Sequence, residues 1–101
     1  MPNVHHNTDL HRFEIRNDDG SLAGFAVYHL RANRILLVHT EVDPAFEGQG
    51  LGGQLARAAL DDARERGLKL VPLCTFIAGW IDKHPQYTDL VDHEMLAALE
   101  R

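Results

Sequence analysis

One cysteine in 101 residues excludes an internal disulfide and fits a reducing compartment. No apolar run approaches the roughly 18 residues that a membrane span requires. The start, Met1-Pro2-Asn3-Val4-His5-His6, lacks a basic region followed by an apolar stretch, so no signal peptide is expected and a cytoplasmic location is. Basic residues are outnumbered, 10 Lys and Arg against 15 Asp and Glu, for a net charge of −5 with neutral histidines. That balance argues against a general nucleic-acid binder, which carries a basic face. No repeat or low-complexity segment breaks the chain. His5, His6 and His11 lie close in sequence, but no ligand set of defined geometry follows, so no metal site is expected. A length of 101 residues allows one domain with a real core and no room for a second.

What the sequence has, it concentrates. Four of its eight glycines fall in Phe46-Glu47-Gly48-Gln49-Gly50-Leu51-Gly52-Gly53. A strand-like run precedes this stretch and a helix-like run follows it. A glycine-rich turn feeding a helix N-terminus is a ready anion site. Its N–H groups have no intrahelical partner, the helix dipole adds partial positive charge, and missing Cβ atoms admit a phosphate. The stretch reads as a pyrophosphate cradle.

The elements around it can be read in order. Residues 1–9 are polar and expected to be loose. Leu10 to Asp18 alternates as a half-buried strand, with His11, Phe13 and Ile15 on one face and Arg12, Glu14 and Arg16 on the other. Asn17-Asp18-Asp19-Gly20-Ser21 signals a hairpin. Leu22 to Leu30 is a second strand, in which Gly24 marks a bulge or a close contact. Ile35 to Val42 is a third, apolar on both faces and so expected to be central and covered on both sides. The helix Gly52 to Arg66 carries the stripe Leu51, Leu55, Ala59, Leu60, Ala63, and Gly67 is placed to cap it. Leu68 to Leu73 is a fourth strand, parallel to the third, with Pro72 weakening its carboxyl end. Two parallel strands that part there leave a cleft where the glycine turn also opens. Thr75 is a plausible N-cap for a helix Phe76 to Lys83, and Asp92 to Glu100 is a terminal helix. Residues 86–91 are irregular or a short strand.

Gly48, Gly50 and Gly53 satisfy the three-glycine dinucleotide fingerprint, but that reading fails. Residues intervene between Val42 and the turn, and Val71-Pro72-Leu73-Cys74 offers no acid at the end of the next strand. A triphosphate P-loop fails too, since no Lys-Ser or Lys-Thr follows the glycines.

A meander, then strand, glycine turn, helix and a splaying strand resembles the GCN5-related N-acetyltransferases (GNAT). Their acetyl-CoA loop runs Gln/Arg-x-x-Gly-x-Gly/Ala. Here Glu47-Gly48-Gln49-Gly50-Leu51-Gly52 matches both glycines, departs at Glu47 where a donor is usual, and offers Gln49 as a substitute. The chain is more closely similar to the very small single-domain members, through His39-Thr40, Pro72-Leu73-Cys74-Thr75-Phe76 and His84-Pro85-Gln86-Tyr87. The resemblance spans about residues 10–91. It implies an α+β (α/β) GNAT-like mixed sheet with C-terminal helices, and acetyl-CoA as cofactor. The pyrophosphate would lie on Gly48, Gln49, Gly50, Leu51, Gly52 and Gly53. The pantetheine arm would lie along Thr40 to Val42, pairing with free backbone groups.

Acetyl transfer to an amine needs a base, a polarised thioester, a stabilised leaving thiolate and close alignment. The resemblance places Cys74 at the mouth of the cleft and at a helix start, where thiol pKa values fall. It could carry the acetyl group, assist the departing thiol, or simply be a small buried apolar residue. His39 and Glu41 share a strand face, and either could be the base. Tyr87 could be an acid or could pack on the second helix. His84 is expected to cap that helix or line the cofactor site, while Phe76 and Trp80 are expected in the core. The implied partner is a small-molecule or protein amine of unknown identity, and the negative chain weakly favours a cationic one. Two other classes stay open: a CoA-binding module without catalysis, and a partner-binding domain. In the last, Met95, Leu96 and Leu99 would dock a partner or a second copy as a homodimer.

Overall fold

A five-stranded mixed sheet, in the order β1-β2-β3-β4-β5, carries the molecule. It is seen in a computed structural model that describes residues 3–99. The strands are β1 (Asn3–Asn7), β2 (Arg12–Arg16), β3 (Leu22–Arg31), β4 (Arg34–Val42) and β5 (Lys69–Pro72). The first four run antiparallel, and β5 is parallel to β4. The helices are α1 (Leu51–Arg66), α2 (Thr75–Asp82) and α3 (His93–Leu99), with 3₁₀ turns at Pro44–Phe46 and Pro85–Leu90. Glu100, expected at the end of the last helix, and Met1-Pro2 lie outside the described residues. No helix among the described residues is long and apolar enough to cross a membrane.

The apolar stripe of α1 lies on the sheet as its spacing requires. Leu55, Ala59, Leu60 and Ala63 are fully buried and pack with Phe13, Ile15, Ile35, Leu37 and Leu70 in one cluster. Gly67 ends the helix at φ 70°, its N–H bonded to the carbonyls of Ala63 and Arg64. Leu55 sits at the centre of this core at 0% exposure. Leu55→Ala is expected to lower unfolding free energy by about 2–5 kcal/mol, read from urea melts.

Four expectations need correction. Residues 3–7 are not loose but form edge strand β1, paired with β2 from Asn3 opposite Arg16 to Asn7 opposite Arg12. Its anchor is His6, whose ring stacks on Phe13 at 4.2 Å. Leu10 and His11 belong to the turn before β2, with His11 at φ 52°. The N-cap of α2 is Cys74, not Thr75. Cys74 is still extended (φ −75°, ψ 125°), and its N–H is held by the Leu37 carbonyl at 2.9 Å, so helical geometry starts one residue later. Finally, β4 is central but not fully covered. Ile35 and Leu37 are buried on the α1 side, while Leu36 and Val38 on the other face stay half-buried. Residues 86–91 are mostly a 3₁₀ turn, and Val91 adds one parallel bridge beside Leu70.

The anchor of β1 is sensitive to pH. Arg66 donates to His6 Nδ1 (3.3 Å), so the remaining imidazole proton sits on Nε2 and bonds the Tyr28 hydroxyl. Burial lowers the His6 pKa; Arg66 and His5 lower it further, and Asp62 opposes them. A depressed pKa means the folded state disfavours the proton. The contribution of His6 is therefore whole above the ordinary value of about 6.5 and is lost as pH falls below it. Urea midpoints should drop between pH 7.5 and 5.5 for the natural chain, and by less for His6→Phe.

Candidate active site

The cleft forms where β5 stops following β4. Their pairing ends at Leu37 opposite Pro72: the Leu73 N–H turns back to the Val71 carbonyl at 3.1 Å, and the Cys74 N–H makes the last bond to Leu37, at 2.9 Å. From His39 to Val42, β4 is held by β3 alone. The N–H of Asp43 bonds the Ala23 carbonyl at 2.8 Å. By the alternation of an antiparallel ladder, Thr40 and Val42 then turn their backbone N–H and C=O groups away from β3, into the opening. Gly24 lets the strands meet here: a Cβ on it would lie 2.6 Å from the Glu41 carbonyl oxygen. It is a close contact toward β4, and toward β2 the register shifts beside it, with Ile15 opposite Gly24 and Arg16 opposite Leu22.

After Val42 the chain turns on Asp43, whose carboxylate accepts the Ala45 N–H at 2.9 Å. It then reaches the glycine turn. Gly48 (φ 85°) and Gly50 (φ 75°) hold left-handed conformations that a side chain resists. Gly50 is the N-cap of α1, so no side chain bonds the first N–H groups of the helix. The first internal helical bond runs from Gln54 to the Gly50 carbonyl at 3.2 Å, leaving the N–H groups of Leu51, Gly52 and Gly53 without an intrahelical acceptor. No acid stands in that first turn. Gly52 and Gly53 serve packing as well. A Cβ on Gly52 would lie 2.7 Å from the Phe76 ring, and one on Gly53 would lie 3.2 Å from Trp80 Nε1.

These groups line one cleft of about 360 Å³, which includes Thr40, Val42, Gly48, Gly50, Leu51, Gly52 and Gly53. Gln49 is exposed and is not among its lining residues. Phe46, Glu47 and Phe76 complete the wall. Phe76, expected in the core, is 44% exposed and caps the cleft beside α1. An aromatic in a short apolar helix reads as core from sequence. Only the closeness of α1, permitted by Gly52, shows the ring turned outward. No arginine or lysine lines the cleft, so the donors it offers to an anion are backbone N–H groups.

The candidate catalytic residues divide between the two faces of β4. Cys74 lies on the cleft side, 8% exposed, with its Sγ–H directed at Thr40 Oγ1 at 3.5 Å. His39 and Glu41 project from the opposite face, 3.3 Å apart (Nε2 to Oε1), with side chains 57% and 62% exposed. They are brought to each other but not to the thiol. On that face Phe25 pairs with Glu41 across the strands and lies 6.3 Å from the His39 ring. A second hollow of about 380 Å³ opens there, lined by Leu22, Phe25, Glu41 and Asp43, and it shares Val42 with the cleft. Nearby, Glu14 is 2% exposed. Burial raises its pKa, but hydrogen bonds from Arg12, Asn7 and Arg16 outweigh that and hold it below the ordinary carboxylate range.

Two further motif residues are structural. The Tyr87 hydroxyl donates to Asp61 at 2.7 Å, and its pKa is raised first by that bond and then by burial. His84 caps α2 as expected, with Nδ1 bonded to the Trp80 carbonyl at 2.7 Å.

A sheet that splays beside a glycine turn and a bare helix N-terminus has the arrangement of an acyltransferase fold. The chain belongs to the GCN5-related N-acetyltransferases: residues 12–90 match that family's model. A GCN5-like Staphylococcus aureus protein solved by NMR superposes with a TM-score of 0.70 at 28% identity, covering 88% of this chain and 86% of that one. Mouse Protein NATD1 is 32% identical over 83 residues, which is 81% of this chain and 76% of that protein. Streptothricin acetyltransferase of Streptomyces lavendulae is 43% identical over 61 residues, covering 58% of this chain and 32% of that enzyme.

Proposed function

We propose that the protein is an acetyl-CoA-dependent N-acetyltransferase acting on a cationic amine. The observation that carries this reading is the continuity of the cleft. Backbone N–H groups at Leu51 to Gly53 lead directly to the unpaired edge of β4 at Val42 and Thr40. The pyrophosphate of acetyl-CoA takes the first set. The amides of the pantetheine arm pair with the second, as an added strand would. The thioester then lies between Thr40 and Cys74 on one face and the His39–Glu41 pair on the other.

The acceptor enters from the hollow beside Glu41 and Asp43, whose carboxylates favour a cation, while Phe25 supports its apolar stem. An ammonium must lose a proton before it attacks, and the His39–Glu41 pair takes it. The amine nitrogen bonds the acetyl carbon, the carbon–sulfur bond breaks, and the departing thiolate takes up the second proton, shed by the new amide nitrogen. The Cys74 thiol bonded to Thr40 places a donor chain on the side where that thiolate appears. Direct transfer is favoured by a Cys74 that is nearly buried and faces away from the acceptor hollow.

The test is calorimetric titration with acetyl-CoA, followed by thiol release across a panel of mono- and polyamines and by intact mass. Saturable binding with amine-dependent thiol release supports the reading. Binding with no release across the panel would reduce the protein to a cofactor-binding module. A stable acetyl adduct lost in Cys74→Ala would replace direct transfer with a covalent route.

A further inference from the structure

Helix α1 carries three arginines; two are held by carboxylates, and Arg57 reaches only the neutral Tyr87 hydroxyl. Arg64 forks onto Asp89 with two bonds of 3.0 Å, and Arg66 pairs with Asp62 at 2.9 Å. Arg57 has no carboxylate partner among the described residues. Its guanidinium lies 5.5 Å from the centre of the Trp80 ring. That ring is fixed from its other contacts: it stacks on His84 at 3.7 Å, and His84 is tied back to the Trp80 carbonyl. The Nε1 edge of Trp80 faces Gly53, where only a missing Cβ makes room for it. Among the described residues, this indole N–H meets no protein acceptor. The neighbouring acids do not oppose an anion freely, since Asp61 accepts from Tyr87 and Asp62 pairs with Arg66.

A charged donor and a neutral one thus stand together beside the first turn of α1. Arg57 follows Gly53 by four residues, about 6 Å along the axis. We infer that Arg57 and Trp80 Nε1–H form a second anion subsite, which takes the 3′-phosphate of CoA. The inference rests on the cofactor reading above. In CoA one ribose carries both the diphosphate and the 3′-phosphate, so a diphosphate on the glycine turn places the 3′-phosphate a short step away. The cleft itself has no cationic side chain. Arg57 is therefore the group that can tell CoA from its dephosphorylated form.

The experiment compares CoA with 3′-dephospho-CoA by calorimetry on the natural chain, Arg57→Gln and Trp80→Phe. For the natural chain, CoA should bind about tenfold more tightly than 3′-dephospho-CoA, as one charge-assisted phosphate contact provides. Arg57→Gln should bring CoA to the level of 3′-dephospho-CoA and leave the latter unchanged. Trp80→Phe, which keeps a ring but removes the N–H, should reduce the ratio by less. Equal binding of the two compounds by the natural chain would overturn the subsite, as would an unchanged ratio in Arg57→Gln. Absence of binding by both compounds would overturn the cofactor reading itself.

Discussion

Glu41→Gln lowers kcat by about 10²-fold or more while leaving acetyl-CoA affinity within twofold of the natural chain. Gln keeps the shape of Glu41 and can still bond His39, but it cannot accept a proton. The side chain lies on the face of β4 opposite the cleft, so the cofactor does not touch it. His39→Gln should cost a comparable factor, because the two side chains form one hydrogen-bonded unit at 3.3 Å. For the same reason the losses should not multiply: the double variant should be no slower than the worse single one by more than a few-fold. Steady-state kinetics with saturating acetyl-CoA measure this. If both single variants keep at least half of the natural kcat, the pair is not the base and water carries the proton.

The division of the site between two faces was open to sequence reading. Residues 39 and 41 alternate with 40 and 42 in any strand, but it is the register shift at Val38, unpaired between Leu37 and His39, that puts Thr40 and Val42 on the α1 face with Ile35 and Leu37. The glycine turn, α1 and the opening at Pro72 were legible for a similar reason. The first two depend on local rules, a missing Cβ and a stripe at helical spacing; the third was placed by its proline, although the opening is made by the Leu73 N–H turning back to Val71. What escaped depends on side chains from distant segments. β1 has one aliphatic residue, Val4, and owes its place to His6 stacking on Phe13 and bonding Tyr28. No hydrophobic period records that. Phe76 has the composition of core but lies outside it, because Gly52 draws α1 up against the ring. Cys74 begins α2 because its own N–H is still committed to the sheet, which the capping preference of Thr75 cannot reveal.

Gly50→Val is the substitution expected to damage cofactor binding most, by about 10²-fold or more. The reason is conformational, not steric. A Cβ at Gly50 meets nothing within 4 Å, so there is space for a side chain. The backbone, however, sits at φ 75°, and a β-branched residue resists that region by about 1–2 kcal/mol. Relief comes by re-aiming the N-cap, and with it the N–H groups of Leu51, Gly52 and Gly53. Each charge-assisted bond lost to a phosphate oxygen costs about 1.5–3 kcal/mol, so losing one or two accounts for the effect. Gly20→Val is the control. It has the same left-handed backbone, φ 86°, and the same empty surroundings, but lies in the β2–β3 hairpin away from the cleft. Both variants should lose similar stability in urea melts, and only Gly50→Val should lose affinity for acetyl-CoA. Equal affinities in the two variants would mean that the helix N-terminus does not hold the pyrophosphate.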